Sequence, residues 1–183
     1  MRYLSVLFGS VFVATAFAAA AVVTAPPEAE AATGGYVGKC GGGKIFLSAD
    51  ERQSFYLHNQ QRKSHNLRQF CVHPTLQKVA RAHSKDMIQR DYFSHTTKGT
   101  SRQACDRVKN AGYRFRYCGE NIAYGSGSYG EPQSIMRSWM KSTGHRRNIL
   151  NGKYREIGIG AYTGTYKGMR NTTMYTADFG TRL

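Results

Sequence analysis

The chain has 183 residues, with 26 Lys and Arg against 11 Asp and Glu, a formal net charge of +15 and 12% aromatic residues. That length supports one hydrophobic core and leaves little room for a second. The aromatic and aliphatic content excludes a wholly disordered chain despite the charge, and the excess of base is the feature that needs a reason.

Met1 and Arg2 lead into an apolar run from Leu4 to Phe17, followed by alanines, valines and Pro26-Pro27. A basic start, a short hydrophobic stretch and small residues in A-x-A register predict a secretory signal peptide over residues 1–25. The run from Tyr3 to Pro27 carries no charge and is long enough to cross a bilayer, so an uncleaved N-terminal membrane anchor is the alternative. Residues 26–47 are small and Gly-rich and read as a linker and N-terminal extension. The folded domain is then expected over residues 48–183.

Ser48 and Glu51 form a capping-box pattern that opens a helix through about Ser64, with Phe55, Asn59 and Arg62 facing inward beside Leu57. That stripe is unusually polar. A second helix starts near Pro74 and carries Leu76, Val79, Ala80, His83 and Met87 at helical spacing to about Arg90. A third is predicted from Ser101 to Ala111, closed by Gly112 as the residue past the cap. A fourth, from Pro132 to Lys141, presents Ile135, Met136 and Trp139. Tyr117 to Ala123, Tyr154 to Tyr162 and Thr173 to Phe179 have strand patterning, with Gly164, Gly168 and Asn171 in a hairpin loop between the last two. Helices followed by an antiparallel hairpin, without strand–helix alternation, give an α+β class.

Export places Cys40, Cys71, Cys105 and Cys118 in an oxidising compartment, where an even set predicts two disulfides and no catalytic thiol. Of the three connectivities, Cys40–Cys71 with Cys105–Cys118 closes the two shortest non-crossing loops and is the expected pairing.

From Thr33 onward 25 basic residues face nine acids, a balance of +16. An exported protein of that charge meets anionic cell-wall polymer or membrane lipid first. Its bases are scattered, so a basic surface with no dedicated partner is the competing reading. Specific nucleic-acid binding lacks a reader motif or a clustered helix face.

Several motif matches carry no chemistry. Gly125 to Gly130 spells G-x-G-x-x-G without the strand–helix context or the following acid of a dinucleotide site, and reads as a mobile loop. Asp178, Phe179 and Gly180 spell a kinase triplet without its companions and read as a strand end. Asn171-Thr172-Thr173 is a glycosylation sequon where the host glycosylates. No G-x-S-x-G elbow occurs, which removes the usual serine hydrolase.

Glu120, beside Cys118 and running into an apolar strand, is a carboxylate in a setting that demands a cationic or metal partner. His95 follows the second helix and His145 the fourth. Two histidines and a glutamate from three segments are the ligand types of Zn²⁺ or another divalent cation with an open position for water. The alternative is a buried hydrogen-bond network with no metal. His83, on the apolar stripe, reads as a core histidine; His58, His65 and His73 read as surface.

The segments Leu57–Arg62, Ala82–Met87, Tyr92–His95, Ala111–Tyr113, Gly119–Ile122, Trp139–Leu150, Glu156–Gly160 and Ala177–Gly180 occur in an order that resembles the CAP superfamily. This is the SCP domain family of cysteine-rich secretory proteins, antigen 5 and pathogenesis-related 1 proteins, and the chain looks closest to its bacterial extracellular branch. The resemblance implies a three-layer α-β-α sandwich with a central antiparallel sheet, and a cleft with a His-Glu-Glu-His tetrad able to hold a divalent ion. His95, Glu120 and His145 match three members, while Ser142 stands where the second Glu is expected. Losing that carboxylate weakens both a metal site at His95 and His145 and a two-carboxylate acid–base scheme. Glu156 is a conceivable substitute that fits better as a structural residue. Family roles run from sterol and lipid binding to defence and signalling, so a small lipid or sterol joins the expected partners. The expectation is thus a secreted or envelope-associated binding module with a His/Glu cleft; the alternative is a divalent-metal-dependent hydrolase of cell-wall or other extracellular polymer.

Overall fold

The computed structural model describes residues 33–183, so the expected leader and possible anchor at 1–25 lie outside the described residues. Among the described residues no helix is long and apolar enough to cross a membrane.

In chain order the elements are β1 (Gly35–Gly38), β2 (Lys44–Leu47), α1 (Ala49–Ser64), β3 (Cys71–Val72), α2 (Pro74–Gln89), α3 (Ala104–Asn110), β4 (Phe115–Ser126), a 3-10 turn (Gly127–Gly130), α4 (Pro132–Lys141), α5 (Thr143–Ile149), β5 (Glu156–Tyr166) and β6 (Met169–Arg182). The capping box forms as expected: the Ser48 backbone N–H donates to Glu51 at 2.9 Å and the Glu51 N–H to the Ser48 hydroxyl at 3.4 Å. Phe55, Asn59 and Arg62 are buried on the inner face of α1. Gly112, with φ at +87°, follows the Ala111 cap of α3, a conformation that suits glycine.

The main sheet runs β3-β5-β6-β4. β4, β5 and β6 are antiparallel, but the two-residue β3 pairs parallel to β5, so the sheet is mixed at that edge. Strand alternation divides its two faces. Ile157, Ile159, Tyr175, Ala177 and Phe179 pack with Phe55 of α1, Ile135, Met136 and Trp139 of α4, and Ile149 of α5. The opposite face meets α2 and α3, where Leu76, Val79, Val108 and Tyr113 form a second cluster. This is the α-β-α sandwich. Gly158 and Gly160 let α2 lie directly on β5, because a Cβ at either would run into the helix backbone at Leu76 or Ala80.

Several expectations are corrected. Residues 35–47, read as linker from their composition, form the β1–β2 hairpin, with the Gly41–Gly43 run, all at positive φ, as its turn. The third helix begins at Ala104 rather than Ser101, and the strand at Tyr117 extends to Phe115–Ser126. The loop between β5 and β6 is only Lys167-Gly168, both at positive φ, the tight turn that matches strand twist; Gly164 and Asn171 lie inside strands. Gly125–Gly130 is no mobile loop: it is the end of β4 and one 3-10 turn, and the Tyr175 hydroxyl donates to the Gly130 carbonyl at 2.8 Å. The seven-residue α5 has no counterpart among the predicted elements. His58, expected at the surface, is completely buried. His73 caps α2 by accepting from the Thr75 N–H at 3.2 Å. His83 is buried in the core as expected. Both expected disulfides, Cys40–Cys71 and Cys105–Cys118, are present.

Candidate functional site

β4 is an edge strand of the main sheet, and the cleft runs along its free side. Two of its outward carbonyls are covered by side chains from the α4–α5 layer. Trp139 Nε1 donates to the Ile122 carbonyl at 3.3 Å, and Asn148 Nδ2 to the Glu120 carbonyl at 3.1 Å. The Asn121 side chain donates in turn to the His145 carbonyl at 3.0 Å and accepts from Asn148 at 2.9 Å. These bonds fix α5, and with it His145, against the strand. On the other side α2 ends at Arg90, and the following segment is held by His83, whose Nε2 donates to the Ser94 carbonyl at 3.0 Å. His95 comes next in the chain.

The result is a groove of about 590 Å³ with Phe93, Ser94 and His95 on one wall, Ile122 to Tyr124 below, and Trp139 and His145 on the other wall. Phe93 and Tyr124 meet edge to face at 5.0 Å between ring centroids. The titratable imidazoles of the groove are His95 and His145, joined by the hydroxyl residues Ser94, Thr96 and Ser138 and by the group behind His95.

That group is Glu120. One of its carboxylate oxygens accepts from His95 Nδ1 at 2.6 Å, and the other accepts from Arg107 of α3. The carboxylate is 2% exposed and the His95 side chain 51%, so the buried acid orients an imidazole whose other nitrogen faces the cleft. Arg107 also donates to the His95 carbonyl at 2.6 Å, closing the triangle. The Cys105–Cys118 disulfide lies two residues before each member of the Arg107–Glu120 pair and ties α3 to β4 at this point.

Asp178 stands directly across β6 from Glu120 in the antiparallel register. It is 1% exposed, and among the described residues neither carboxyl oxygen has a hydrogen-bond partner of good geometry. Burial pushes its carboxyl well above the ordinary range, and the neighbouring Glu120 charge adds to the shift while Arg107 opposes it. Proximity to Glu120 thus favours the protonated form of Asp178. His145 is shifted down by partial burial and then by the nearby His95 charge, which favours its neutral form.

His95 and His145 thus line one cleft with Glu120 behind His95, and the cation beside Glu120 is Arg107. Ser142 ends α4 and begins α5 without lining the groove. Glu156 lies elsewhere: it accepts from the Tyr113 hydroxyl at 2.7 Å and from Arg182 at 2.9 Å, a structural role. Arg107 and Asp178 are site residues the sequence did not reveal.

Whether the trio suits a divalent ion depends on which donor atoms are already engaged. Both Glu120 oxygens are, one of them by a guanidinium, and ligand atoms of His95, Glu120 and His145 do not all lie within 4.8 Å of one another. The one trio that does among the described residues, Cys40, Cys71 and Glu156, contains a disulfide. The three residues therefore do not fit a preformed three-ligand centre, and only the imidazoles of His95 and His145 remain as open donors.

Comparison with known proteins gives consistent matches. The model of the cysteine-rich secretory protein family matches residues 55–179. The Bacillus subtilis protein YkwD, itself uncharacterized, is 38% identical over 114 residues, which cover 62% of this chain and 43% of YkwD. An extracellular SCP-domain protein of Bacillus anthracis superposes with a TM-score of 0.62 at 27% identity, over 78% of this chain and 47% of that one. An outer surface protein of Borrelia burgdorferi shares the fold, with a TM-score of 0.64 at 21% identity, over 82% of this chain and all of the other. The match spans less than half the length of both Bacillus proteins.

Proposed function

The chain belongs to the cysteine-rich secretory protein family, and on that premise we propose that it is an extracellular binding module, held to anionic cell-wall polymer by its basic surface. The disposition of charge carries the reading. Of the nine acids from Thr33 onward, Glu51, Glu120, Glu156 and Asp178 are buried, so most of the 25 bases meet solvent without a carboxylate nearby. Such a surface raises the local concentration of polyanions and speeds their capture.

A hydrolase working through a divalent ion asks Glu120 either to ligate or to take a proton from water. The engagement of its two oxygens by His95 and Arg107, with Ser142 in place of a second acid, favours binding. The cleft offers aromatic walls and one exposed imidazole, a surface suited to holding a ligand. The extracellular Bacillus anthracis relative supports an address outside the cell.

The test is co-sedimentation of the full chain with purified anionic cell wall over a salt series. Bound protein should fall steeply between about 50 and 200 mM salt, as counterion release requires. Retention independent of salt overturns the reading.

A further inference from the structure

Beside the cleft, on the same pair of helices, lies a second groove of about 380 Å³ that the His/Glu site does not use. Its lining is Met140, Lys141, Thr143, Arg146, Arg147 and Leu150. We propose that it is a binding site for a phosphodiester polymer with short aliphatic linkers, an inference that rests on the binding-module reading and gives it a location and a ligand chemistry.

Three observations carry it. First, the groove has three cations and no acid. Lys141, Arg146 and Arg147 are exposed, and among the described residues none has a carboxylate partner, whereas Arg81, Arg107 and Arg182 each hold a buried glutamate. Three unpaired charges around one concavity repel one another unless an anion sits between them. Two guanidiniums are matched to phosphate oxygens by their forked donors, and Thr143 adds a hydroxyl.

Second, the remaining walls, Met140 and Leu150, are aliphatic and half-buried. They suit the carbon linkers between phosphates. No aromatic ring lines the groove, so nucleobases find no stacking platform there.

Third, the space is concave and fits a single chain, while a bilayer presents a broad flat array of headgroups. Met140 and Arg146 of this groove directly follow Trp139 and His145 of the cleft in the chain, so a polymer held by Lys141 and Arg146 lies next to the cleft.

The experiment measures binding of the full chain to synthetic poly(glycerol phosphate), polyglutamate, phosphatidylglycerol vesicles and a single-stranded oligonucleotide, each over a salt series. It compares wild type, the triple variant Lys141→Gln/Arg146→Gln/Arg147→Gln, and a charge-matched control, Lys63→Gln/Lys78→Gln/Lys109→Gln, at exposed positions outside the groove. Circular dichroism confirms that each variant is folded. The expected result is preference for poly(glycerol phosphate). The groove variant should bind it about tenfold or more weakly, with the slope of log K against log salt reduced by about 2, at roughly 0.7 per phosphate contact. The control should lose less than about threefold, as remote charges contribute only through the general field. Equal losses in the two variants overturn the groove and leave the binding module standing. Equal or tighter binding to polyglutamate, vesicles or the oligonucleotide overturns the phosphodiester polymer. Wild-type binding to none of the four overturns both readings.

Discussion

His58 makes the acid stability of the fold measurable at one residue. It is completely buried between Trp139 and Phe179, with ring centroids 5.4 and 5.9 Å away. Its Nδ1 donates to the Ser54 carbonyl at 2.7 Å, and its Nε2 has no hydrogen-bond partner among the described residues. Burial lowers its pKa from 6.5 to about 4, the carbonyl contact opposes this, and the Arg62 charge adds to the depression. The fold therefore binds the neutral ring, while the unfolded chain protonates at its ordinary value. Stability from this group is present above pH 6.5 and is lost as pH falls through about 4. A gap of roughly 2.5 units at 1.36 kcal/mol each corresponds to about 3 kcal/mol, a large fraction of a typical domain's stability.

Replacing His58 by Phe keeps a ring between Trp139 and Phe179 and removes the titration. Urea denaturation of wild type and His58→Phe at intervals from about pH 7 to about pH 4 gives the difference curve. Other titrating groups are common to both proteins and cancel. The variant should start somewhat less stable at neutral pH, through the lost hydrogen bond and the extra volume, and gain on wild type by about 3 kcal/mol as pH falls. Parallel curves over this interval would refute a buried neutral imidazole at position 58.

Two further substitutions probe the groups that hold the site. Arg62 is buried, has no counter-ion among the described residues, and donates to four carbonyls, those of Arg68 (2.7 Å), Ile149 (2.9 Å), Asn151 (3.0 Å) and Tyr154 (3.1 Å), fastening α1 to the end of α5. Arg62→Met should lower stability by about 3–5 kcal/mol in chemical denaturation, because the carbonyls lose charged donors that relief from desolvation only partly offsets. A loss below about 1 kcal/mol contradicts this role. Asp178→Asn replaces a carboxyl held neutral by an amide that can donate to Glu120. The raised native pKa makes wild-type stability decline as pH rises above the ordinary carboxylate value, so the variant should be the more stable protein at neutral pH, by about 1 kcal/mol or more. Denaturation at about pH 5 and about pH 8 should show that advantage widening with pH; a constant difference refutes it.

The parts of the molecule that were legible in its sequence are those governed by local spacing. The capping box at Ser48, the proline start of α2, the apolar stripe of α4 and the glycine after α3 each follow from a few neighbouring residues. Glu120 could be singled out because a carboxylate beside a half-cystine in an apolar strand must be compensated. Its compensation could not be read, because Arg107 reaches it only once the disulfide and the strand register bring α3 onto β4. Asp178 was hidden for the same reason: strand pairing across a sequence separation of 58 sets it opposite Glu120. His58 is different. The stripe Phe55, Asn59, Arg62 places position 58 on the same face at a spacing of three and four, so period should have overruled residue type. α5 escaped because seven residues beginning with Thr143-Gly144 carry too little periodicity to register as a helix.

The basic surface and the buried acids are two sides of one arrangement. Glu51 takes Arg81 and joins α1 to α2, with contacts of 2.5 and 2.7 Å; Glu120 takes Arg107 and His95; Glu156 takes Arg182 and the Tyr113 hydroxyl. Each buried glutamate links separate elements of the fold. Breaking such a pair from one side leaves an uncompensated buried charge, which costs far more than any exposed ion pair returns. Neutralising the surface by placing these acids outside would therefore dismantle the interior. Conversely, with the carboxylates fixed inside, the cations at Lys141, Arg146 and Arg147 remain open to an external anion without any reorganisation of the fold. The Arg107–Glu120 pair belongs to both sides of this arrangement, because the same contact that fastens α3 to β4 also sets the orientation of His95 in the cleft.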